Sequence, residues 1–304
     1  MNILITGGTG LIGLLFIDKF KDYKCTVLTR FPGKAKSQLP ESVELISSLD
    51  ELHDLNAFDS VINLAGEPII DKRWSEKQKD IISQSRWQTT QRLVDLFARS
   101  KKPPKVFLSG SAIGVYGHRG DEILTETSTV KKNNFPTSLC MHWEELAKQA
   151  EPHTRVVVMR TGIVLAPQGG ALRKMLLPFK CYLGGKIGTG QQFMSWIHYQ
   201  DYVNAMNYLL TTDGLSGAVN LAAPEPAINK EFTQVLAKTL HRIAIVPVPK
   251  KVLERLLGES SCLLLDSQRV FPKALLDSGF KFCFPNLKVA LQEMLASTSQ
   301  DRMN

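Results

Sequence analysis

The 304-residue chain is poor in cysteine, and its five (Cys25, Cys140, Cys181, Cys262, Cys283) are an odd number at wide spacings with no C-x-x-C. That pattern indicates neither a disulfide framework nor a zinc site. A reducing compartment follows, with the cytoplasm as the expected location. No apolar run reaches the length of a membrane-spanning helix, and no signal-peptide pattern precedes the first strand, so no membrane partner is expected. Internal repeats and low-complexity segments are also missing. The net charge is +8, yet Lys101-Lys102, Lys131-Lys132 and Lys250-Lys251 stand far apart and are not interleaved with aromatics. Nucleic acid is therefore not an expected partner. With 43% hydrophobic and 22% charged residues, the chain can bury a large core, as one large domain or two coupled ones.

What the chain does have stands at its start. Met1-Asn2-Ile3-Leu4-Ile5 is a short apolar strand that runs into Thr6-Gly7-Gly8-Thr9-Gly10-Leu11-Ile12-Gly13 and then a helix with Leu14, Leu15, Ile17 and Phe20 apolar. Gly7 permits a tight turn, Gly10 lets backbone approach a pyrophosphate, and Gly13 lets the helix lie close on the strand. Free N–H groups at the helix start face the anion. The next strand, Cys25 to Thr29, ends on Arg30, where a fold that prefers NAD carries an acid about 20 residues past the glycines to bind the ribose 2′-hydroxyl. Here Arg30 is followed by Lys34 and Lys36, and no Asp or Glu returns until Glu41. Cations at that position suit a 2′-phosphate, so the expected cofactor is NADP(H).

Strands and helices then alternate. Val43–Ile46, Ser60–Gly66, Lys105–Ser109 and Arg155–Arg160 read as strands, and a long helix capped by Ser75 runs to Pro103-Pro104. A further helix is placed around Trp143 to Gln149, and another from Gln200 to Leu210. The pattern predicts an α/β fold with a parallel, doubly wound sheet over residues 1–165 and a strand returning near 218–222. Residues 166–304, rich in glycine loops and mixed helices, are expected to form a smaller C-terminal lobe that caps the nicotinamide end and supplies substrate contacts.

The T-G-x-x-G-x-x-G turn, Asn63-Leu64-Ala65-Gly66, and Ser109-Gly110-Ser111 leading to Val115-Tyr116-Gly117 resemble the extended short-chain dehydrogenase/reductase superfamily. Arg73-Trp74, Ser85-Arg86, Trp143-Glu144, Arg160 to Leu165, Gly169-Gly170-Ala171-Leu172 and Trp196-Ile197-His198 are similar to its atypical, nucleotide-sugar-epimerase-like branch. The tail from Gly258 through Gln268-Arg269-Val270 to Gly279-Phe280 matches that branch's own C-terminal region, so the likeness covers essentially the whole chain. The resemblance implies a Rossmann-type core that binds NADP(H). Position by position it implies Gly7, Thr9, Gly10, Leu11, Ile12 and Gly13 at the pyrophosphate and Thr29 and Arg30 at the 2′-phosphate. It further implies Leu64, Ala65 and Gly66 along the adenosine, with Arg86 and Val164 as further cofactor contacts. For Arg86 a surface ion pair is an equal alternative. A homodimer through two long helices is common in the superfamily, but no exposed apolar stripe in this sequence demands one.

The superfamily's proton-transfer pair, a Tyr and a Lys one helical turn apart, does not appear where it is expected. Depending on register, its positions fall on Cys140 and Glu144 or on Pro136 and Cys140. The chain's one Tyr-x-x-x-Lys, Tyr182 to Lys186, encloses Gly184-Gly185, which works against a shared helix face. Ser111 matches the superfamily's serine. Tyr116 and Glu144 are the candidate replacements, against the plainer expectations that Tyr116 packs beneath the cap and Glu144 pairs with an arginine. His198 with Trp196 is a further candidate pair, against a structural role at a helix start. Two functions stay open on this reading. One is an NADP(H)-dependent oxidoreductase or epimerase acting on a small polar, sugar-like carbonyl or alcohol, and the other is a non-catalytic NADP(H)-binding redox sensor or regulator.

Overall fold

Strands buried on both faces read as near-continuous apolar runs, and the centres of this chain's strands, such as Ile3-Leu4-Ile5, Val106-Phe107-Leu108 and Val156 to Met159, do so. The computed structural model describes residues 1–300, with side chains to residue 296. Seven strands form one parallel sheet: β1 (Asn2–Thr6), β2 (Lys24–Leu28), β3 (Glu44–Ile46), β4 (Ser60–Asn63), β5 (Val106–Ala112), β6 (Arg155–Thr161) and β7 (Gly217–Leu221). Their spatial order is β7-β6-β5-β4-β1-β2-β3, which reverses direction at β1 and is the Rossmann-type doubly wound arrangement the sequence predicts. The strand at Gly217–Leu221 lies beside β6 in parallel register.

Alternate side chains leave the sheet on opposite faces. Ile3, Ile5, Val27, Ile62, Leu108 and Val157 pack with Phe16 and Ile17 of α1 (Leu11–Lys19). Their neighbours Leu4, Val61, Phe107, Val156 and Val158 pack with Leu93, Val94 and Phe97 of α2 (Glu76–Arg99) and Ala147 of α3 (Phe135–Lys148). Ser75 caps α2 by accepting from the Gln78 N–H. Helix α3 joins, as one element, both stretches that the sequence marks as helical, Pro136 to Glu144 and Trp143 to Gln149. Asn134 and Thr137 form a reciprocal cap around Pro136, which needs no N–H in a first turn. The β4 ladder likewise ends at Asn63 rather than Gly66, because Leu64 donates to Thr6 and the chain then turns off the sheet.

Beyond β6 the chain adds α4 (Gly170–Lys180), α5 (Tyr199–Thr211), α6 (Asn229–Thr239), α7 (Lys250–Leu257) and α8 (Leu287–Gln300). Helix α5 returns to the sheet, with Tyr202, Met206 and Leu209 in the core under β5 to β7. Helices α4, α6 and α8 enclose a second core of Leu172, Leu176, Trp196, Phe232, Leu236 and Leu291, so the C-terminal segment has its own apolar centre beside the sheet's carboxyl edge. Among the described residues no helix is long and apolar enough to cross a membrane.

One buried carboxylate joins the two parts. Asp201, fully buried in the first turn of α5, accepts the Cys283 and Phe284 N–H groups, each at 2.8 Å. Asp201→Ala leaves both donors, on the half-exposed Cys283–Phe284 segment, without this partner and is expected to reduce unfolding free energy by about 1–3 kcal/mol. Urea denaturation checks this, and a loss near zero would mean that solvent reaches these groups.

Candidate active site

Where β1 ends, the chain turns with almost no clearance. Gly7 has φ +71°, and a Cβ there would lie 2.6 Å from the Leu64 carbonyl carbon, so only glycine fits by both conformation and space. The Gly10 N–H closes the turn on the Gly7 carbonyl at 3.0 Å. A Cβ on Gly13 would fall 2.5 Å from Gly8 Cα, so α1 rests directly on the turn. No side chain caps α1, which leaves the N–H groups of Leu11, Ile12 and Gly13 without an intrahelical acceptor. These groups point with the positive end of the helix dipole toward the space in front of them. A cradle emptied of side chains and lined with free donors fits a pyrophosphate.

That space is one end of a cleft of about 560 Å³, which Gly7, Gly10 to Gly13, Leu64, Arg86 and Val164 help to line. Thr9 lies in the turn, partly exposed, and Ala65 donates to Thr6 Oγ1 beside it. Gly66 faces the Arg86 guanidinium, whose Cζ would stand 2.8 Å from an added Cβ. Arg86 is held by carbonyls, donating to Ile82 at 2.9 Å and Glu67 at 3.1 Å, and lies 5.3 Å above the Trp143 ring. It is not in a surface ion pair. Burial lowers its pKa from the ordinary arginine value. Past the end of β2, Thr29 is buried and accepts from the Phe31 N–H, while Arg30 is exposed. The Glu67 carboxyl is held below its usual range chiefly by Lys72, with a smaller contribution from Arg30.

Ser111, on the last turn-ward residues of β5, lines the far part of the cleft and donates to Glu144 Oε1 at 2.8 Å. Behind it Arg160 grips Glu144 through Nε (2.9 Å) and a terminal nitrogen (2.8 Å), both side chains almost fully buried. Burial alone would lower the Arg160 pKa, but the carboxylate carries it above the ordinary value. Arg160 also donates to the Tyr116 hydroxyl at 3.0 Å, which itself lies 2.8 Å from Asn220 Oδ1. Burial pushes the Tyr116 pKa up against the pull of Arg160. Among the described residues, neither Tyr116 nor Glu144 is on the cleft wall. Glu144 reaches the cleft through Ser111, and Tyr116 lies two hydrogen bonds further back, through Arg160. The plainer sequence expectation for Glu144, a pair with arginine, is what the structure contains.

Helix α3 presents Pro136, Leu139, Cys140 and Trp143 to the cleft. Of the two registers open in the sequence, Pro136 with Cys140 is the one that faces it. Burial pushes the Cys140 thiol up to about 11, so it stays protonated near neutral pH. Tyr182 follows α4 at φ +59° and is exposed, and the next residues turn, so Tyr182 and Lys186 share no helix face. His198 and Trp196 are also off the cleft. His198 Nδ1 accepts from the Gln200 N–H as the cap of α5, and its Nε2 meets Glu293 at 2.9 Å. Burial lowers the imidazole pKa. The Trp196 indole donates to the Glu225 carbonyl.

The sequence reading did not single out the C-terminal part of the cleft wall: Phe193, Met194, Asn229, Cys262 to Leu264, Asp266 and Gln268. The only local signal was Asp266, one acid closing the apolar run Leu263-Leu264-Leu265.

Comparison with known proteins places this geometry. The family described as NAD dependent epimerase/dehydratase matches residues 3–222, and a domain of unknown function matches residues 248–294. An epimerase family protein of Staphylococcus aureus (strain MRSA252) is 38% identical over 296 residues, 96% of this chain and 98% of that protein. The crystal structure of human epimerase family protein SDR39U1 (isoform 2) with NADPH aligns at TM-score 0.89 and 34% identity over 97% of this chain and 99% of that one. A nucleoside-diphosphate sugar epimerase from Corynebacterium glutamicum aligns at TM-score 0.76 and 28% identity, over 100% of this chain and 61% of that one.

Because Glu144 and Arg160 are buried together, removing either alone strands the other's charge. Glu144→Gln and Arg160→Met are each expected to cost about 3–5 kcal/mol, and the double variant less than the sum by at least about 1 kcal/mol. Chemical denaturation of the three variants measures the coupling, and strict additivity would contradict it.

Proposed function

This chain belongs to the NAD-dependent epimerase/dehydratase family, and from that premise we propose that it binds NADP(H) along the cleft and transfers hydride between the nicotinamide and a small carbonyl or alcohol. The observation that carries the reading is the continuity of the cleft. It begins at the free N–H groups of Leu11, Ile12 and Gly13 and ends at Ser111 under the C-terminal segment. The exposed Arg30 beyond β2 supports a 2′-phosphate, and the human relative solved with NADPH supports the same cofactor. Bound there, the dinucleotide would supply a hydride donor or acceptor.

The chain's own residues would then do the following. Leu11 to Gly13 orient the pyrophosphate, Leu64 to Gly66 and Arg86 hold the adenosine side, and Val164 packs on the far half. Ser111 is the group that touches the substrate oxygen. Its proton points to Glu144, so toward the cleft the hydroxyl oxygen accepts, which suits an alcohol substrate: as hydride leaves for the nicotinamide, Ser111 would take the substrate's hydroxyl proton while its own passes to the Glu144 carboxylate. To polarise a carbonyl instead, Ser111 must swing that proton away from Glu144. Glu144, Arg160 and Tyr116 act through Ser111 as positioning residues. The C-terminal segment covers the reacting end and excludes water.

One observation favours a second reading, that of an NADP(H)-binding sensor or regulator without turnover. The helix positions facing the cleft are Pro136 and Cys140, which hold no phenol and no ammonium. Stereospecific exchange of labelled hydride between the cofactor and any carbonyl would exclude that second reading.

Titration with NADPH and NADH, followed by nicotinamide fluorescence, tests the cofactor. Arg30→Ala is expected to weaken NADPH about tenfold or more and to leave NADH nearly unchanged. Equal affinity for both cofactors before and after the substitution would contradict the assignment.

A further inference from the structure

The part of the cleft beyond Ser111 has a chemistry that its relatives' names do not suggest. Its C-terminal wall is made by Met175, Ile187, Phe193, Met194, Leu263 and Leu264. The polar side chains between them are mostly engaged elsewhere. Ser195 Oγ donates to the Gln268 carbonyl and accepts from the Val270 N–H. Asn229 accepts from the Ile187 N–H and points its amide at Met194 Sδ. Asp266 and Gln268 remain, their side chains without a hydrogen bond to any described residue; the Asp266 carboxylate faces the mostly exposed His118 at 3.9 Å.

No described residue that lines this wall carries a positive charge; Arg269, 4.9 Å over the Phe193 ring, and Lys250, near Asp266, stand behind the lining rather than in it. The cation that lines the cleft, Arg86, lies at the cofactor end and is already held by two carbonyls. Helix α6 starts here, but its first N–H groups are closed by the carbonyls of Gln192 and Gly190, each at 2.8 Å, and the uncapped start of α4 at Gly170 and Ala171 lies beside Leu11 and Val164, at the cofactor end of the cleft. Lys186 and Lys230, beside Gly190, are exposed to solvent. A diphosphate entering this half would give up its water for an apolar wall and meet one carboxylate of its own sign. Sites that take such groups supply guanidinium forks or open helix starts.

We propose that the molecule received beside the cofactor is a carbonyl or alcohol with an apolar body and a hydrogen-bond donor for Asp266, and not a nucleoside-diphosphate sugar. This rests on the NADP(H) reading above and departs from the sugar-like substrate implied by the sequence resemblance. Phe193 and Met194 grip the apolar body, Asp266 accepts from the donor, and Ser111 meets the reacting oxygen. Burial raises the Asp266 pKa, in keeping with a carboxyl that faces little water.

The test compares octane-1,8-diol, an apolar chain with a hydroxyl at each end, with UDP-glucose. Loading with NADPH is verified first by the fluorescence of the bound nicotinamide, and each compound is then titrated while that signal is followed. The diol is expected to saturate at least about tenfold more tightly than UDP-glucose. Asp266→Asn, which keeps the side-chain shape, is expected to weaken the diol by about threefold or more. Saturation by UDP-glucose at equal or tighter affinity overturns the proposal, as does binding of neither compound, and an unchanged diol affinity in Asp266→Asn removes Asp266 from it. The same pair is compared by thermal shift on cofactor-free protein. Failure to load NADPH would then overturn the function reading alone, while the choice between the two ligand classes is still measured.

Discussion

Backbone packs against backbone where β1 leaves the sheet, and the rest of the site depends on that contact. With no side chain on Gly7, the turn lies directly against Leu64 and Ala65. With none on Gly13, α1 lies directly on the turn. The helix start is thereby held at the carboxyl edge between β1 and β4, where the strand order reverses and ligands of open α/β sheets bind. A methyl group at either position would push the helix away and aim its free N–H groups elsewhere. Thr6, Asn63 and Thr90 brace the same corner through a chain of hydrogen bonds at 2.6 and 2.8 Å that runs into α2.

The other end of the cleft is fixed by charge rather than by clearance. Glu144 of α3, Arg160 of β6, Tyr116 after β5 and Asn220 of β7 form one buried cluster, and Ser111 is the member that reaches the cleft. Buried charges are tolerated when paired and hydrogen-bonded on all sides, as here. The cluster ties three strand ends and one helix to the orientation of a single hydroxyl. The catalytic question therefore narrows to what Ser111 meets, because the polar groups behind it are committed to one another.

The sequence made some of this legible and hid the rest for physical reasons. The glycine turn, the apolar strands and the Ser75 cap act over a few residues, so their chemistry is readable locally. The two registers for the missing Tyr and Lys differed by four residues on α3, and only packing shows that Pro136 and Cys140 face the cleft while Glu144 turns to Arg160. Tyr116 and Asn220 are 104 residues apart and meet because β7 returns beside β6, which no local pattern encodes. A structural role for His198 at a helix start is among the sequence expectations. Its bond to Glu293, 95 residues away, was not. Asp266 escaped notice because a single acid after an apolar run reads equally well as a solvated helix end.

The central claim is that one dinucleotide spans the distance from the glycine turn to Ser111. Hydrogen–deuterium exchange followed by mass spectrometry tests it most directly, comparing NADPH with the adenosine bisphosphate half of the cofactor. The account predicts that NADPH protects both the segment around Gly10 to Gly13 and the segment around Gly110 to Gly114, and that the half-cofactor protects only the first. Protection by NADPH confined to the glycine turn, or appearing elsewhere, would contradict it.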